Sequence, residues 1–292
     1  MTTSLLPQEL YLLERYSSLE YYSQMRDAWE VMLKHVEDCM DRFMLQLPVD
    51  YRARPLPRQR NTVWEQVALP NFRNTTMQTL VAESAFKHLE DSLDRFMQQP
   101  MQPDTVRGQW GKMVIPSFRS TMRDLDTGVI ELTHGDLGGL LKGIASTDFR
   151  ELTEFSCDWM DEVEPGAADK YCNLMGHALI LAFNIYTTIG AYWNKGALAE
   201  CYSPDARGPL NAPSAWPRYR LNPDVRVRTG EPVLHAGIYL PDLDDSNAQF
   251  LLASHHYQYA DTCPPARVGY DPQTQDVSEV PARWTLVERV PD

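Results

Sequence analysis

Seven histidines and five cysteines carry most of the chemistry open to this chain. His134 and Asp136, in the glycine-rich run THGDLGG, could form an acid–base pair on a turn. No nucleophile motif accompanies them, so capping and turn formation is the preferred role. His255 and His256, with Cys263 further on, could supply metal ligands. Their spacing matches no common zinc pattern, and neighbours on a strand point to opposite faces. An ordinary surface or core role is expected for them, and no metal. Cys172 and His177 lie five apart on an expected helix, a poor angle for chelation. His35 and His88 hold equivalent places in two similar segments, and duplicated use favours a structural hydrogen bond. The chain has no phosphate-cradling glycine loop, no nucleophile elbow and no HExxH. It implies no cofactor and no enzyme. The competing reading is a hydrolase-like enzyme working through His134, Asp136 or the His255–His256 region.

Carboxylates offer a different chemistry. The run DWMDEVEPGAAD at 158–169 sets Asp158, Asp161, Glu162, Glu164 and Asp169 around Trp159 and Met160, two apolar residues expected to be exposed. Acidic residues around an aromatic suit a surface that receives a basic protein. Asp242, Asp244 and Asp245 form a second acidic loop. The one basic cluster, Arg52, Arg54, Arg58 and Arg60, lies near Tyr51 and Trp64 and has the look of a nucleic-acid footprint. The formal net charge of −13 works against nucleic acid, whose binding rests on releasing counterions from phosphates. The cluster reads instead as a connector that pairs with acidic helices.

The elements that must position these residues repeat. KHVEDCMDRFM at 34–44 recurs as KHLEDSLDRFM at 87–97, and WEQVALPNFRNT at 64–75 recurs as WGKMVIPSFRST at 110–121. The helical period is explicit in Met32, Val36, Cys39 or Met40, Phe43 and Leu47. Such duplication points to helical units stacked on one another. Trp64 and Trp110 are expected at the joint between units, with Pro70 and Pro116 opening a helical turn. Arg73 and Arg119 are expected to bond helix C-terminal carbonyls or the acidic pair of the neighbouring unit. Helices are read over 8–46, from about Asn74 to Met97, from about Ser117, from Thr147 or Asp148 to about Glu162, and over 168–199. Short helices with tight turns suit 128–147. Beyond Tyr202 prolines multiply, and 225–240, 248–260 and 283–290 alternate as strands do. The fold class is therefore α+β. A helical domain spans 1–200 and holds a tandem repeat at about 28–80 and 81–126. A β-rich subdomain spans 201–292.

Size and composition are those of a folded soluble protein. Five scattered cysteines without a CxxC pair suggest reduced, mostly buried thiols and a cytoplasmic setting. The N-terminus lacks the features of a signal peptide. Residues 174–193 approach the length of a membrane span. His177, Asn184 and two glycines interrupt them, and no basic flank fixes an orientation, so a buried central helix is expected and no membrane.

The C-terminal third carries a resemblance. TGEP at 229–232 is followed by HAGIYLP at 235–241 and QFLLAS at 249–254, and then by CPPARVGYDPQTQDVSEVPARWTLVERV at 263–290. After a helical half with GQW and IPSFR elements, this resembles the immunity proteins of bacterial polymorphic toxin systems. The nearest are the types numbered 71 and 72, encoded beside toxins of Rhs or type VI secretion clusters. The resemblance implies a cytoplasmic protein of bacterial competition that binds a cognate toxin domain and blocks it. It carries over no catalytic signature. On this reading the acidic, aromatic-bearing surface occludes the active site of a basic toxin. Asp158, Trp159, Asp161, Glu162 and Glu164 are the first candidates for the contact, and Asp242, Asp244 and Asp245 the second. The alternatives are an enzyme that reverses the toxin's damage, and a helical protein-interaction scaffold.

Overall fold

Proline and serine set the first helix boundaries. Pro7 opens α1 (Pro7–Tyr16), where its missing N–H costs nothing. The Ser17 hydroxyl bonds back to the Leu13 carbonyl, and the Ser18 hydroxyl accepts the Tyr21 N–H as an N-cap. The single helix expected over 8–46 is thus two, with α2 at Leu19–Leu45. In this computed structural model the described residues are 5–46, 110, 114–147, 157–256, 262–271 and 273–291. The second helix copy at 87–97, the 64–75 block, the Arg52–Arg60 cluster and most of the tandem repeat lie outside them. So does the stretch before Cys157 where a helix was expected.

The described chain is α+β. α3 (Ile115–Thr133) has Pro116 in its first turn and ends where Gly135 adopts a left-handed φ of 83°. 3₁₀ helices follow at Leu137–Thr147 and Asp158–Glu162. α4 (Ala167–Ile189) stops at Gly190, short of the expected 199. Residues 196–201 form turns, and a single-turn α5 follows at Pro204–Arg207. A four-stranded antiparallel sheet has the order β1 (Tyr219–Arg228), β6 (Arg283–Arg289), β2 (Gly237–Pro241), β3 (Gln249–Leu251). β1 slips register between Asn222 and Arg226, at Pro223, which has no N–H to give the ladder. β4 (Ala266–Val268) and β5 (Ser278–Val280) form a separate pair.

Two compact units emerge, and neither follows the chain in a single run. The first comprises Met1–Asp27, Asp124–Thr147 and Ala178–Asp292; the second comprises Ala28–Arg123 and Asp148–His177. This partition differs from a cut near residue 200, because packing rather than chain order brings the N-terminal helix together with the sheet.

In the first unit Trp193, Tyr16, Tyr21 and Tyr22 are fully buried. Trp193 stacks on Tyr16 and gives its indole N–H to the Thr188 hydroxyl at 3.0 Å. By length and composition α4 could cross a membrane. Its 178–189 portion is instead packed, with Ala178, Leu181, Ala182, Ile185 and Ile189 buried. Asn184, on the same face, donates to the Tyr21 hydroxyl and the Arg207 carbonyl. Gly128 and Gly139 let α3 and the following 3₁₀ helix touch: a Cβ at Gly139 would lie 2.6 Å from the Gly128 carbonyl oxygen. The sheet packs Val227, Tyr239, Leu251, Cys263 and Trp284 into one cluster.

In the second unit six aromatics interlock. Trp110, with no exposed surface, meets Phe118, Trp159 and Tyr171 edge-on at 5.5–6.3 Å between ring centres. Trp29 adds to Phe118, and Phe43 to Trp159. Such pairs add to the burial energy. Trp110 is thus a core residue of the second unit, while Trp64, and with it the expected joint between repeat units, lies outside the described residues.

Two outcomes follow for stability. Trp110→Ala should cost about 3–5 kcal/mol in denaturant unfolding, and Trp110→Phe much less. Glu9, only 4% exposed, has a side-chain oxygen without a hydrogen-bond partner. Burial, and then the neighbouring Glu200 charge, push its carboxyl up to about 7. A folded pKa above the unfolded value of about 4.3 stabilises fully at acid pH and is lost as pH rises through about 7. The melting temperature of Glu9→Gln relative to the parent should therefore climb between pH 5 and pH 8; a flat difference would contradict this ionisation.

Candidate functional site

Histidines weighed separately in the sequence meet in the first unit. A cleft of about 1070 Å³ is lined by His134, Asp136, Lys142, His235, His255 and His256, with Glu131 at its edge. The end of α3 supplies His134, and the turn after it supplies Asp136. The strand-flanking segments supply the rest. Val233 and Ser254 lock those segments together, exchanging hydrogen bonds of 2.8 and 2.9 Å.

The capping expectation for THGDLGG is met. The His134 backbone N–H bonds the Ile130 and Glu131 carbonyls, and the ring Nδ1 bonds the Ile130 carbonyl at 2.7 Å. A nitrogen facing a carbonyl carries the hydrogen, which leaves Nε2 as the acceptor in the neutral ring. Asp136 Oδ1 accepts the Gly138 N–H at 2.9 Å and also faces His256 Nδ1 at 3.2 Å. A Cβ at Gly138 would lie 2.9 Å from that ring nitrogen, so a side chain there would displace the imidazole or the carboxylate.

His255 and His256 do not alternate on a strand as expected. They sit in a 3₁₀ helix, Ser254–His256, with ring centres 4.0 Å apart. Desolvation and then the neighbouring His255 lower the His256 pKa, while Asp136 works in the opposite direction. His256 thus favours the neutral imidazole more than a free histidine does, and a carboxylate faces it, so it is able to take or give a proton. Among the described lining residues are His134, His256 and Lys142, groups that can exchange protons with a water or with a ligand.

Cys263 is not part of this group. It is buried in the sheet cluster, and burial pushes its thiol up to about 12, the behaviour of an inert core cysteine. Among the described residues no group of three or more His, Cys, Asp or Glu could hold a metal ion.

The acidic candidates fall into different units. In the second, Asp158 and Asp161 are exposed and Glu162 is half-buried. Asp161 accepts the Ala168 N–H at 3.0 Å, capping the start of α4. Glu164 bonds Arg42 at 2.7 Å, and that bond lowers its pKa. Trp159 and Met160 are not exposed as expected; both are buried, and Trp159 belongs to the aromatic core. A 3₁₀ turn sends these apolar side chains inward while its acids stay outside. In the first unit Asp242 accepts the Arg283 N–H, and Asp245 bonds Lys195 at 2.7 Å and the Gly269 N–H. The Lys195 bond lowers the Asp245 pKa. Asp244 is exposed, and its carbonyl accepts from Lys195. Two expectations from the repeat are met in the second unit. Arg119 bonds Glu37, of the acidic pair Glu37–Asp38, at 2.6 Å. His35 is buried against the Ala167 carbonyl at 2.9 Å.

No family model, curated protein or solved structure matches the chain. What it does is therefore read from its own geometry and charge.

Sequence reading missed His235 and Lys142 as cleft residues. His235, just before an apolar strand in VLHAGIYL, was the only available signal. In NMR titration His256 should ionise below a free histidine, and Asp136→Asn should lower its pKa further. A folded pKa below the unfolded one means this contribution is full above about 6.5 and is lost as pH falls through the lowered value. An unchanged His256 pKa in Asp136→Asn would remove the pair from the site.

Proposed function

We propose that the protein is an immunity protein that binds and neutralises a basic toxin domain in the cytoplasm by covering its active site. The supporting observation is an acidic ridge fixed on a rigid base. Asp158, Asp161, Glu164 and Asp169 are exposed, while Trp159 and Met160 of the same segment are buried beneath them. Trp159 then acts as the anchor that holds the carboxylates in place, and is not a contact residue. A preorganised acidic face loses little entropy on binding. The net charge of −13 steers a basic partner toward it. The resemblance of the closing region to polymorphic-toxin immunity proteins points the same way, and a type VI or Rhs toxin encoded beside the gene is the partner to test.

The cleft favours a second reading, an enzyme that reverses the toxin's modification, because His256, Asp136 and His134 converge there.

One titration separates the two. Asp158→Lys, Glu162→Lys and Asp169→Lys combined leave the Asp161 cap and the Glu164–Arg42 bridge intact. This variant should fold, bind the neighbouring toxin domain at least about tenfold more weakly and lose most of the salt dependence. Undiminished protection by the folded variant sinks the binding reading. Protection far below equimolar protein, abolished by His256→Ala, establishes the enzyme instead.

A further inference from the structure

Two of the five cysteines meet in the second unit. Cys157 Sγ lies 3.8 Å from Cys172 Sγ. Cys157 precedes the Asp158–Glu162 3₁₀ helix and is half-buried; Cys172 sits in the second turn of α4 and is exposed. Neither joins the aromatic core or the histidine cleft, and nothing above uses them. We infer that Cys157 and Cys172 are a thiol–disulfide exchange site that takes low-mass disulfides such as oxidised glutathione and closes into an intramolecular bond.

The geometry supports each step. A disulfide needs its sulfurs about 2 Å apart. Cys172 is held by the helix, while Cys157 stands at the mouth of a short 3₁₀ turn, so the closing movement falls on Cys157. The exposed Cys172 thiolate attacks the small disulfide. It gains a mixed disulfide and releases one thiol. The Cys157 thiolate then attacks the Cys172 sulfur and expels the second thiol. In sum, two cysteine thiols lose two hydrogens and one small disulfide is reduced to two thiols. Burial, followed by the neighbouring Cys172, pushes the Cys157 thiol up to about 12. Burial still disfavours the Cys157 thiolate once Cys172 is in the mixed disulfide, so closure quickens as pH rises. The loop that closes encloses the whole 158–169 acidic segment, although the exchange site does not depend on that segment's role.

The test uses the full chain carrying Cys201→Ser, which removes a competing exposed thiol. It is incubated folded with oxidised glutathione and mapped by mass spectrometry without reduction. The expected product is a peptide pair linking 157 to 172, reversed by dithiothreitol. In Cys157→Ser the reaction should stop at a glutathione adduct on Cys172. Circular dichroism before and after confirms that each variant stays folded. A parent that accumulates the Cys172 adduct without the 157–172 link, or that links either cysteine elsewhere, overturns the inference.

Discussion

Gln249 and Trp193 hold the helices of the first unit to its sheet. The Gln249 side chain accepts the Trp193 N–H at 3.3 Å and donates to the Trp193 carbonyl at 2.7 Å, and both residues are 1% exposed. A buried amide and a buried peptide group each leave a costly orphan if the other is lost, so neither can move alone. Everything else in the unit is registered from this clamp. Around it the Trp193 ring stacks on α1, its indole N–H reaches α4, and the Arg207 guanidinium lies 4.6 Å above its face. β3 begins at Gln249, and six and seven residues on stand His255 and His256 of the cleft. The aim of His256 at Asp136 is thus set by hydrogen bonds some distance away in the chain.

The second unit solves its packing differently. Its core is aromatic edge meeting aromatic face, with His35 on the Ala167 carbonyl and the Trp29 indole N–H on the Phe118 carbonyl inside it, and its ion pairs lie at the rim: Arg42 to Glu164 and Arg119 to Glu37. Exposed ion pairs of that kind contribute little to stability. Their effect is to fix where charges point, so Glu37 and Glu164 are held at defined places.

Periodicity made part of this legible. Met32, Val36, Cys39 and Phe43 are buried at helical spacing, and β3 and β6 fall within alternating runs, while the 225–240 run holds the end of β1 and all but the last residue of β2. The break at Ser17–Ser18 was not visible, because the apolar period keeps its phase across a helix end made by two hydroxyls. Trp159 was misplaced because charged neighbours suggest exposure, whereas a 3₁₀ turn distributes side chains by its own geometry. The cleft was illegible for another reason. His134 and His256 are far apart in sequence, and only the tertiary fold decides that a carboxylate from one segment faces an imidazole from the other.

The strand order has a consequence for how the chain is made. β6 lies between β1 and β2, although both of those strands are synthesised well before it. Until residue 289 has left the ribosome, β1 has no partner and β2 pairs only with β3. A nascent chain stalled earlier would expose two unpaired strand edges, the kind of surface that chaperones shield. Closing the sheet therefore waits on β6, and α1, made long before that strand, must wait for it before its own unit is complete.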